Sequence, residues 1–420
     1  MIRKELNIGL FGFGCVGYGL FEVLHKTPGL KTTIKKICVR QEGKPRPIPA
    51  ENFTFNKHDI LDDPEINVVV ELIDDADAAF EIVSEALKKG KAVVSANKKM
   101  IAEHFQELLE LQRTYNAPLL YEAACCASIP IIRNLEEYYD TDLLTSVEGI
   151  VNGSCNYILS KIFSENLEYD IALAEAQAQG YAESDPTLDT GGSDAKYKLL
   201  LLIAHAFGLV LNPDEIITLG IDRIGSVELQ YAREKGYKIK LVAQAIKNKD
   251  NTISFFVLPK FISPESRLYT VDDAFNGVIT HTSFAETQFF VGKGAGAYPT
   301  ASAVLSDLSA LTYDYRYEYK KLHQVGNVVP GQDTLLKILL SDAGSELIPY
   351  YELFESIEET HTRRNGSYII GTIRLHQLKQ LINLAGKKVS VIMLSIEPET
   401  SALTITFKSV SADVLAEQVL

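Results

Sequence analysis

The sequence predicts an α/β protein in three parts: a doubly wound parallel sheet, an α+β domain and a small C-terminal α/β module. Strand-like and helix-like segments alternate over residues 1–130, as expected for parallel β-α-β units. A glycine-rich turn separates the first predicted strand from the first predicted helix. The chain has 420 residues, more than a single hydrophobic core usually fills, so several domains are expected.

The elements of the first part follow from short apolar runs and from helical periodicity. The run at 67–73 is apolar throughout, which is typical of a strand buried on both faces of a parallel sheet. Strands are predicted at 6–11, 32–39, 67–73, 92–95 and 118–121, and helices at 15–26, 76–90 and 101–115. Such alternation winds right-handedly into a doubly wound fold.

The pattern changes beyond residue 145. Helices are predicted at 156–180, 194–209, 225–247 and 302–325, and strands at 252–258 and 277–284. In the tail, strands are predicted at 366–374, 388–396 and 402–409, and helices at 374–385 and 411–420. We therefore predict a first domain over 1–135, completed by about 300–328, a second domain over 136–300 and an accessory module over 332–420.

Composition excludes several classes of protein. Lys plus Arg total 41 and Asp plus Glu total 55, a net charge of −14 that argues against a nucleic-acid partner. No run reaches the roughly 18 apolar residues that a membrane helix needs, and no signal-peptide stretch precedes the first strand, so a cytoplasmic location is expected. The five cysteines form no CxxC pair and no HExxH occurs, which argues against a disulfide framework and a catalytic zinc.

The glycine-rich turn predicts a dinucleotide site in a Rossmann-type domain. The motif comprises Gly12, Phe13, Gly14, Cys15, Val16 and Gly17. The first glycine permits a tight turn, the second lets the backbone approach a pyrophosphate, and the third lets the helix pack on the strand. The helix N-terminus then offers free N–H groups to the phosphates. The alternative is a glycine-rich turn without a ligand.

The end of the second strand bears on the choice of cofactor. An acidic residue there would bind the 2′-hydroxyl of NAD, but this strand ends at Arg40, followed by Lys44 and Arg46. Because arginine suits a 2′-phosphate, NADP is favoured and NAD stays open. The alternative is that the basic side chains merely solvate a loop.

A second candidate site is the loop at 180–198, which is rich in acids and glycines and leads into an apolar helix. Asp194 and Lys198 are four residues apart, so their side chains share one face of that helix. A solvated salt bridge is the alternative. An ion pair at the start of an apolar helix is partly desolvated, and we expect the pKa of its lysine to move toward neutrality.

Five segments resemble the signatures of homoserine dehydrogenases, in the right order between residue 6 and about 325. They are the loop 180–198 and residues 96–99, 151–159, 236–243 and 292–304. The resemblance implies NAD(P)-dependent interconversion of L-homoserine and L-aspartate 4-semialdehyde, the branch step toward threonine, isoleucine and methionine. It also implies a small-molecule substrate and a homo-oligomer.

The resemblance assigns roles to individual residues. Lys198 is the acid/base at the substrate oxygen, with Asp194 beside it and Lys98 near both nicotinamide and substrate. The implied substrate-binding residues are Glu183, Asp189 and Tyr181, and the implied further cofactor contacts are Asn97, Lys98 and Gly296. Two lysines at one site also repel each other, which would lower the pKa of at least one.

Family members hold a monovalent cation such as sodium on main-chain carbonyls after the last Rossmann strand. The implied carbonyls here belong to Glu122, Cys125, Ala127 and Ile129. Family members commonly have glycines before the Ile-Pro, whereas this chain has Ala127 and Ser128, which would be costly if φ is positive there. A second departure is Asp74-Asp75, where glycines are usual.

Two rival functions are kept open, together with the role of the tail. An aspartate-semialdehyde dehydrogenase would use a cysteine nucleophile, for which Cys125, Cys126 and Cys155 are the candidates. A dinucleotide sensor would bind cofactor without chemistry.

Many homoserine dehydrogenases end in a regulatory domain that opens with an Asp-x-Pro-Gly turn, but this tail lacks it, so feedback by threonine stays open.

Overall fold

Two sheets carry the fold. The computed structural model describes residues 4–27, 29–139, 143–324, 328–342, 347–363, 366–386 and 389–397. One sheet is parallel and has six strands, and the other is mixed and larger. This arrangement confirms the predicted fold class, with a doubly wound sheet, an α+β region and a C-terminal module.

The parallel sheet has the strand order β3-β2-β1-β4-β5-β6. Its strands are β1 Leu6–Phe11, β2 Thr32–Cys38, β3 Phe53–Thr54, β4 Val68–Glu71, β5 Ala92–Ser95 and β6 Leu119–Leu120. The helices of this region are α1 Cys15–Lys26, α2 His58–Leu61, α3 Ala76–Lys88, α4 Lys98–Glu103, α5 Phe105–Tyr115 and α6 Ile131–Arg133. The order reverses between β1 and β4, and dinucleotides bind at such a reversal.

Two features of this region differ from the sequence prediction. The helix predicted at 101–115 is two helices, because the backbone of His104, with φ −115° and ψ 24°, departs from helical geometry between α4 and α5. The short β3 and α2 were not predicted, since two to four residues carry too little periodicity to detect.

The central region contributes most of the second sheet. Its strands are β7 Leu144–Ile150, β8 Ile217–Thr218, β9 Lys238–Lys247, β10 Thr252–Ile262, β11 Phe275–Thr282 and β12 Thr287–Lys293. Its helices are α7 Gly153–Ser164, α8 Tyr169–Ala178, α9 Thr187–Thr190, α10 Ser193–Phe207, α11 Ser226–Lys235 and α12 Ala297–Leu311.

The helix predicted at 225–247 was wrong over its second half. Helix α11 ends at Gly236, whose φ of 71° places it in the left-handed region, and residues 238–247 form the strand β9. That strand pairs antiparallel with β10 along its whole length. Its buried residues fit either periodicity, so tertiary pairing decides the outcome.

Two other predicted helices have different bounds. The segment 156–180 is split into α7 and α8 around Asn166, whose φ is 57°. The helix predicted at 302–325 begins earlier, at Ala297, because Pro299 is tolerated in the first helical turn. It also ends earlier, at Leu311. Helix α12 packs against α1.

The tail continues the second sheet. Its elements are β13 Val329–Pro330, β14 Leu335–Asp342, β15 Ser356–Arg363, β16 Gly366–Arg374, α13 Leu375–Ala385 and β17 Val389–Glu397. Strands β16 and β17 and helix α13 lie where predicted, and the elements predicted at 402–409 and 411–420 fall outside the described residues. The sheet order is β12-β11-β7-β9-β10-β17-β14-β16-β15, so the tail joins the central region at β10.

The tail also has its own apolar cluster, which includes Ile338, Leu378 and Met393. Phe256 and Leu258 of β10 belong to the same cluster. The tail is therefore packed against the central region rather than attached by a linker. Among the described residues, no helix is long and apolar enough to cross a bilayer.

Candidate active site

A cleft of about 520 Å³ lies at the carboxyl ends of the parallel strands. Its wall brings together residues from both sheets that are far apart in the chain. The predicted site residues in this wall are Val16, Lys98, Ala127, Tyr181, Glu183, Asp189, Asp194, Lys198 and Gly296. The structure therefore places cofactor-binding, substrate-binding and catalytic candidates around one cavity of ligand size.

Asp194 is the centre of this site. Its Oδ2 accepts a hydrogen bond from Lys198 Nζ at 2.7 Å, and its Oδ1 is 2.9 Å from Lys98 Nζ. Lys198 Nζ also donates to the carbonyl of Val151 at 2.7 Å. Asp194 and Lys198 are buried, whereas the Lys98 side chain is 39% exposed. One carboxylate thus joins two lysines from different helices, α4 and α10.

The charges at this centre shift the pKa values of Asp194 and Lys198 in opposite directions, and both shifts favour the charged forms. Burial alone would raise the pKa of Asp194, but the ammonium groups of Lys198 and Lys98 outweigh burial and hold it well below its usual range. Burial alone would lower the pKa of Lys198, but Asp194 raises it above the usual value. The prediction that the pKa of this lysine moves toward neutrality was therefore wrong, because the carboxylate lies between the two lysines.

Asn152 is a site residue whose role was not predicted from the sequence. Its Nδ2 donates to Asp194 Oδ2 and to Asp189 Oδ1, both at 2.8 Å. Its Oδ1 accepts from the backbone N–H of Cys155 at 2.7 Å and so caps α7. The detectable signal was an asparagine just before an apolar helix, which predicts the cap but not the two carboxylates.

The substrate-binding candidates lie on the loop before α10. Tyr181 stacks on Tyr157 with ring centroids 4.5 Å apart and is 44% exposed. Glu183 is exposed in the cleft wall, and Asp189 is half-buried beside Asn152. Two carboxylates therefore flank the cavity next to the lysines.

The glycine turn has the geometry that a pyrophosphate requires. Gly12 has a φ of +92°, and a Cβ there would lie 2.5 Å from the carbonyl oxygen of Leu72. A Cβ on Gly17 would lie 2.4 Å from the carbonyl oxygen of Gly12. A Cβ on Gly14 would meet nothing within 4 Å, so this side of the turn is open for a ligand at the start of α1.

The end of β2 lies against the glycine turn, because the N–H of Gly12 donates to the carbonyl of Cys38 at 3.0 Å. Arg40, two residues further on, is exposed. Arg46 is folded back onto the carbonyl of Lys44 at 2.9 Å, with its guanidinium 4.9 Å from the ring centroid of Phe53. Arg40 and Lys44 therefore have the accessible charges in this region, and Arg46 has a packing role.

Two further residues noted in the sequence, Asn97 and Asp75, cap helices. Asn97 caps α4 by accepting from the N–H of Met100 at 3.0 Å, and its Nδ2 donates to the carbonyl of Ile73 at 3.1 Å. Asp75, one of the two residues that depart from the family pattern, caps α3 by accepting from the N–H of Ala78 at 3.1 Å. Asp74 lines the cleft.

The loop after β6 has strained backbone where the family commonly has glycine. Cys126 and Ala127 have φ values of 57° and 40°, in the left-handed region. Ser128 is outside that region, and its Oγ donates to the carbonyl of Lys293 at 3.0 Å. The expected conformational cost is thus confirmed at Ala127 and extends to Cys126.

The cysteine-nucleophile alternative finds no support in this geometry. Cys155 is fully buried, and burial raises its pKa well above the usual value. Cys126 does line the cleft, but no histidine does among the residues that the structure describes. The thiol–imidazole pair of that chemistry is absent from the described wall.

Comparisons with known proteins agree with this geometry. A model described as "Homoserine dehydrogenase, NAD binding domain" matches residues 12–122, and one described as "Homoserine dehydrogenase" matches residues 130–309. The homoserine dehydrogenase of Helicobacter pylori is 38% identical over 73% of this chain and 74% of its own. That of Lactococcus lactis is 37% identical over 72% of this chain and 73% of its own.

Solved structures extend the likeness to the tail. The homoserine dehydrogenase from Thiobacillus denitrificans superposes with a TM-score of 0.81 at 30% identity, covering 93% of this chain and 98% of that one. A hyperthermophilic archaeal homoserine dehydrogenase in complex with NADPH gives a TM-score of 0.65 at 28% identity, covering 75% and 99%. The chain therefore belongs to the homoserine dehydrogenase family, as an oxidoreductase that interconverts L-homoserine and L-aspartate 4-semialdehyde with a nicotinamide cofactor.

Proposed function

We propose that Lys198, Asp194 and Lys98 form the catalytic centre at which the homoserine dehydrogenase reaction occurs in this chain. The observation that carries the proposal is the Asp194 carboxylate, 2.7 Å from Lys198 and 2.9 Å from Lys98 in the cleft beside the glycine turn. When bound, the nicotinamide accepts or supplies the hydride. The residues of the chain hold the substrate and manage the proton.

Lys198 is proposed as the group that exchanges the proton of the substrate oxygen. Its ammonium has three N–H donors, two of which are directed to Asp194 and to the carbonyl of Val151. The third has no acceptor among the described residues and could donate to the oxygen of the aldehyde or alcohol. Because the pKa of Lys198 is raised, the lysine is charged at neutral pH and carries the proton that the oxygen takes up as the aldehyde is reduced.

Lys98 and the acids of the loop are proposed to fix the substrate. Glu183 and Asp189 would bind the substrate ammonium through charge-assisted hydrogen bonds, with Tyr181 closing the same side. Asp189 is oriented by the amide of Asn152. Lys98, the more exposed lysine, would contact both the substrate and the nicotinamide.

For the cofactor, we propose contacts from Gly12, Phe13, Gly14, Cys15, Val16, Gly17, Asn97, Lys98 and Gly296, with a preference for NADP. The preference rests on Arg40, which is exposed two residues beyond the contact between Cys38 and Gly12. A hydrogen bond to a charged phosphate contributes about 1.5–3 kcal/mol. Arg40→Ala should therefore lower kcat/KM with NADP about tenfold or more, while kcat/KM with NAD changes little; equal losses with both cofactors would contradict the preference.

A monovalent cation such as sodium is proposed on the carbonyls of Glu122, Cys125, Ala127 and Ile129. The left-handed φ of Ala127 supports this, because the loop adopts at alanine a conformation usually reserved for glycine. Oxygen donors from the main chain suit a hard cation. Titration of activity with sodium and potassium chloride, against a large organic cation at equal ionic strength, tests the site.

We also propose that the chain is divided into the predicted domains, with the tail as an accessory module. The protein is further proposed to form a homo-oligomer and to be located in the cytoplasm. Since β17 pairs with β10, removing the tail would expose apolar residues of the central region. Regulation by threonine is therefore better tested on the full chain. Sedimentation of that chain measures its oligomeric state.

The decisive test of the catalytic centre compares Lys198→Ala with Lys196→Ala. Lys196 lies on the same helix, but it is outside the cleft wall, with its Nζ 5.6 Å from the ring centroid of Tyr197. We expect Lys198→Ala to lower kcat by roughly 10²–10⁴-fold while the Kd of NADP is unchanged. Lys196→Ala should remain close to the wild type. Turnover that survives in Lys198→Ala would show that another group exchanges the proton.

A further inference from the structure

Cys125 and Cys126 form a pair of neighbouring thiols that the dehydrogenase reaction does not use. Their Sγ atoms are 3.8 Å apart, and both residues are at most 1% exposed. The other three cysteines are Cys15, which is exposed, Cys38, which is half-buried, and Cys155, whose Sγ donates to the carbonyl of Asp189 at 3.2 Å. Adjacent side chains in extended backbone point in opposite directions, so the proximity of these two sulfurs needs a cause.

The backbone of the loop supplies that cause. Cys125 is extended, with φ −131° and ψ 121°, whereas Cys126 is left-handed, with φ 57°. The change of conformation between the two residues turns the second side chain back toward the first. Because this region is costly for a residue with a Cβ, the surrounding packing must hold the two thiols together.

The position of the pair connects it to catalysis. Cys126 lines the same cleft as Lys198, Lys98 and Asp194. Because the pair is otherwise buried, a small oxidant would have to approach it from the cleft, to whose wall Cys126 belongs. Any covalent change at this thiol occurs in the wall of the catalytic cavity.

We propose that Cys125 and Cys126 are an oxidation site, at which hydrogen peroxide that enters the cleft converts the pair to a disulfide and slows turnover. The Cys126 sulfur attacks one peroxide oxygen and breaks the O–O bond, which leaves a sulfenic acid, and the released oxygen leaves as water with the thiol proton. The Cys125 sulfur then attacks the sulfenic sulfur, forms the S–S bond and releases a second water. The two thiols lose two electrons and two protons, and one peroxide takes up both.

Disulfide formation must move the wall of the cleft. An S–S bond is about 2.05 Å long, so sulfurs that are 3.8 Å apart must approach by about 1.8 Å. The movement falls on the Cys126 side chain and on the loop around it. Since a misplacement of about 1 Å at an active site can cost roughly a hundredfold in rate, we expect kcat/KM to fall by about that factor.

The test treats the full chain with hydrogen peroxide and compares the wild type with Cys125→Ser and Cys15→Ser. Each activity is expressed relative to the same untreated variant, and the peptide that contains residues 125 and 126 is analysed by mass spectrometry. We expect the wild type and Cys15→Ser to lose activity about a hundredfold, to regain it with dithiothreitol, and to give a peptide lighter by two hydrogens. Cys125→Ser should give no disulfide peptide, because a sulfenic acid at Cys126 has no neighbouring thiol to attack it; with excess peroxide it should go on to the sulfinic acid, so that lost activity is not regained with dithiothreitol.

A second measurement does not depend on any variant. Saturating NADP with L-homoserine should slow formation of the disulfide peptide in the wild type, since both ligands fill the cleft through which peroxide would enter. Three results would overturn the proposal: the disulfide forms without loss of activity, activity is lost and recovered without the disulfide, or Cys125→Ser behaves like the wild type. Equal rates of disulfide formation with and without ligands would refute the route through the cleft.

Discussion

Replacing Asp194 by asparagine removes the charge that joins Lys198 to Lys98 and leaves the shape of the side chain almost unchanged. The asparagine oxygen can still accept from one lysine, but its NH₂ group faces the other donor. The amide of Asn152, which donates to Asp194 Oδ2, also loses a charged acceptor. The substitution thus tests the electrostatics of the centre with little change in packing.

The size of the effect follows from burial. Removing one partner of a buried ion pair costs about 3–5 kcal/mol, because the remaining charge stays buried. This range applies to the pair with Lys198, whose side chain is 9% exposed. The cost is smaller for the pair with Lys98, because that side chain is 39% exposed and water screens its charge. We therefore expect the free energy of unfolding to fall by about 3 kcal/mol. Because the pKa of Asp194 is lowered, its contribution is complete above the unfolded value of about 3.9 and disappears only in stronger acid.

The same substitution should reverse the shift at Lys198. With the carboxylate gone, burial dominates, and the pKa of Lys198 should fall below its usual value instead of lying above it. The proton donor for aldehyde reduction is then lost at a lower pH. We expect the alkaline limb of the pH profile to move toward acid. We also expect kcat for reduction to fall roughly a hundredfold at neutral pH, because Lys198 and Lys98 lose the carboxylate that holds them in place.

The assay follows cofactor absorbance in both directions across the pH range, with thermal unfolding and a cofactor titration of the same protein. Asp185→Asn is a matched control, since Asp185 is an exposed acid of the same loop that accepts from Thr187 Oγ1 at 2.6 Å. The control should retain wild-type turnover. The reasoning fails if Asp194→Asn keeps more than a tenth of the wild-type kcat and its alkaline limb does not move.

Substitutions at three further residues probe the site and the structure around it. Asn152→Ala should lower kcat about tenfold and the free energy of unfolding by about 1–2 kcal/mol. Asn152→Ser should restore the free energy of unfolding, because serine can cap the helix, but it should not restore kcat. If Asn152→Ser restored both quantities, Asn152 would not be needed to hold the carboxylates. Ala127→Gly should raise the free energy of unfolding by about 1 kcal/mol in denaturant titrations, and an unchanged value would contradict strain at φ 40°. Burial raises the pKa of Glu71 to about 7, so its carboxyl destabilises the fold as pH rises from about 4.5 to 7. Glu71→Gln, which can still accept from the N–H of Ile73, should therefore stabilise the protein more at pH 8 than at pH 5; equal effects at both pH values would refute this.

The parts of the site that sequence could predict are those defined by neighbouring residues. The glycine turn lies between one strand and one helix, and Asp194 and Lys198 are a single helical turn apart, so local rules place both. Lys98 is 2.9 Å from Asp194 across a gap of nearly a hundred residues, and only the family resemblance suggested that they meet. Asn152 contacts two carboxylates, but no local pattern marks them as its partners.

The predictions that were wrong also depended on contacts between residues far apart in the chain. The segment 238–247 is compatible with either periodicity, and pairing with β10 makes it a strand. The pKa of Lys198 depends on which charge lies nearest to it. Sequence shows two lysines and an acid, and repulsion between the lysines would lower the pKa, whereas the structure puts the acid between them and the pKa rises. The sign of the shift is thus a property of the tertiary structure.

The loop after β6 shows how a local departure can change a site without changing the fold. Left-handed backbone at Cys126 and Ala127 costs about 1–2 kcal/mol per residue relative to glycine. Both side chains are nevertheless buried, so contacts around them must offset this cost. Because glycine would serve the backbone better, the presence of cysteine at this bend is not explained by the turn itself. What Cys126 adds at this bend is a thiol in the cleft wall, 3.8 Å from a second thiol. The oxidation test at this pair therefore shows whether the cysteine at position 126 has a function or is only tolerated by the packing around it.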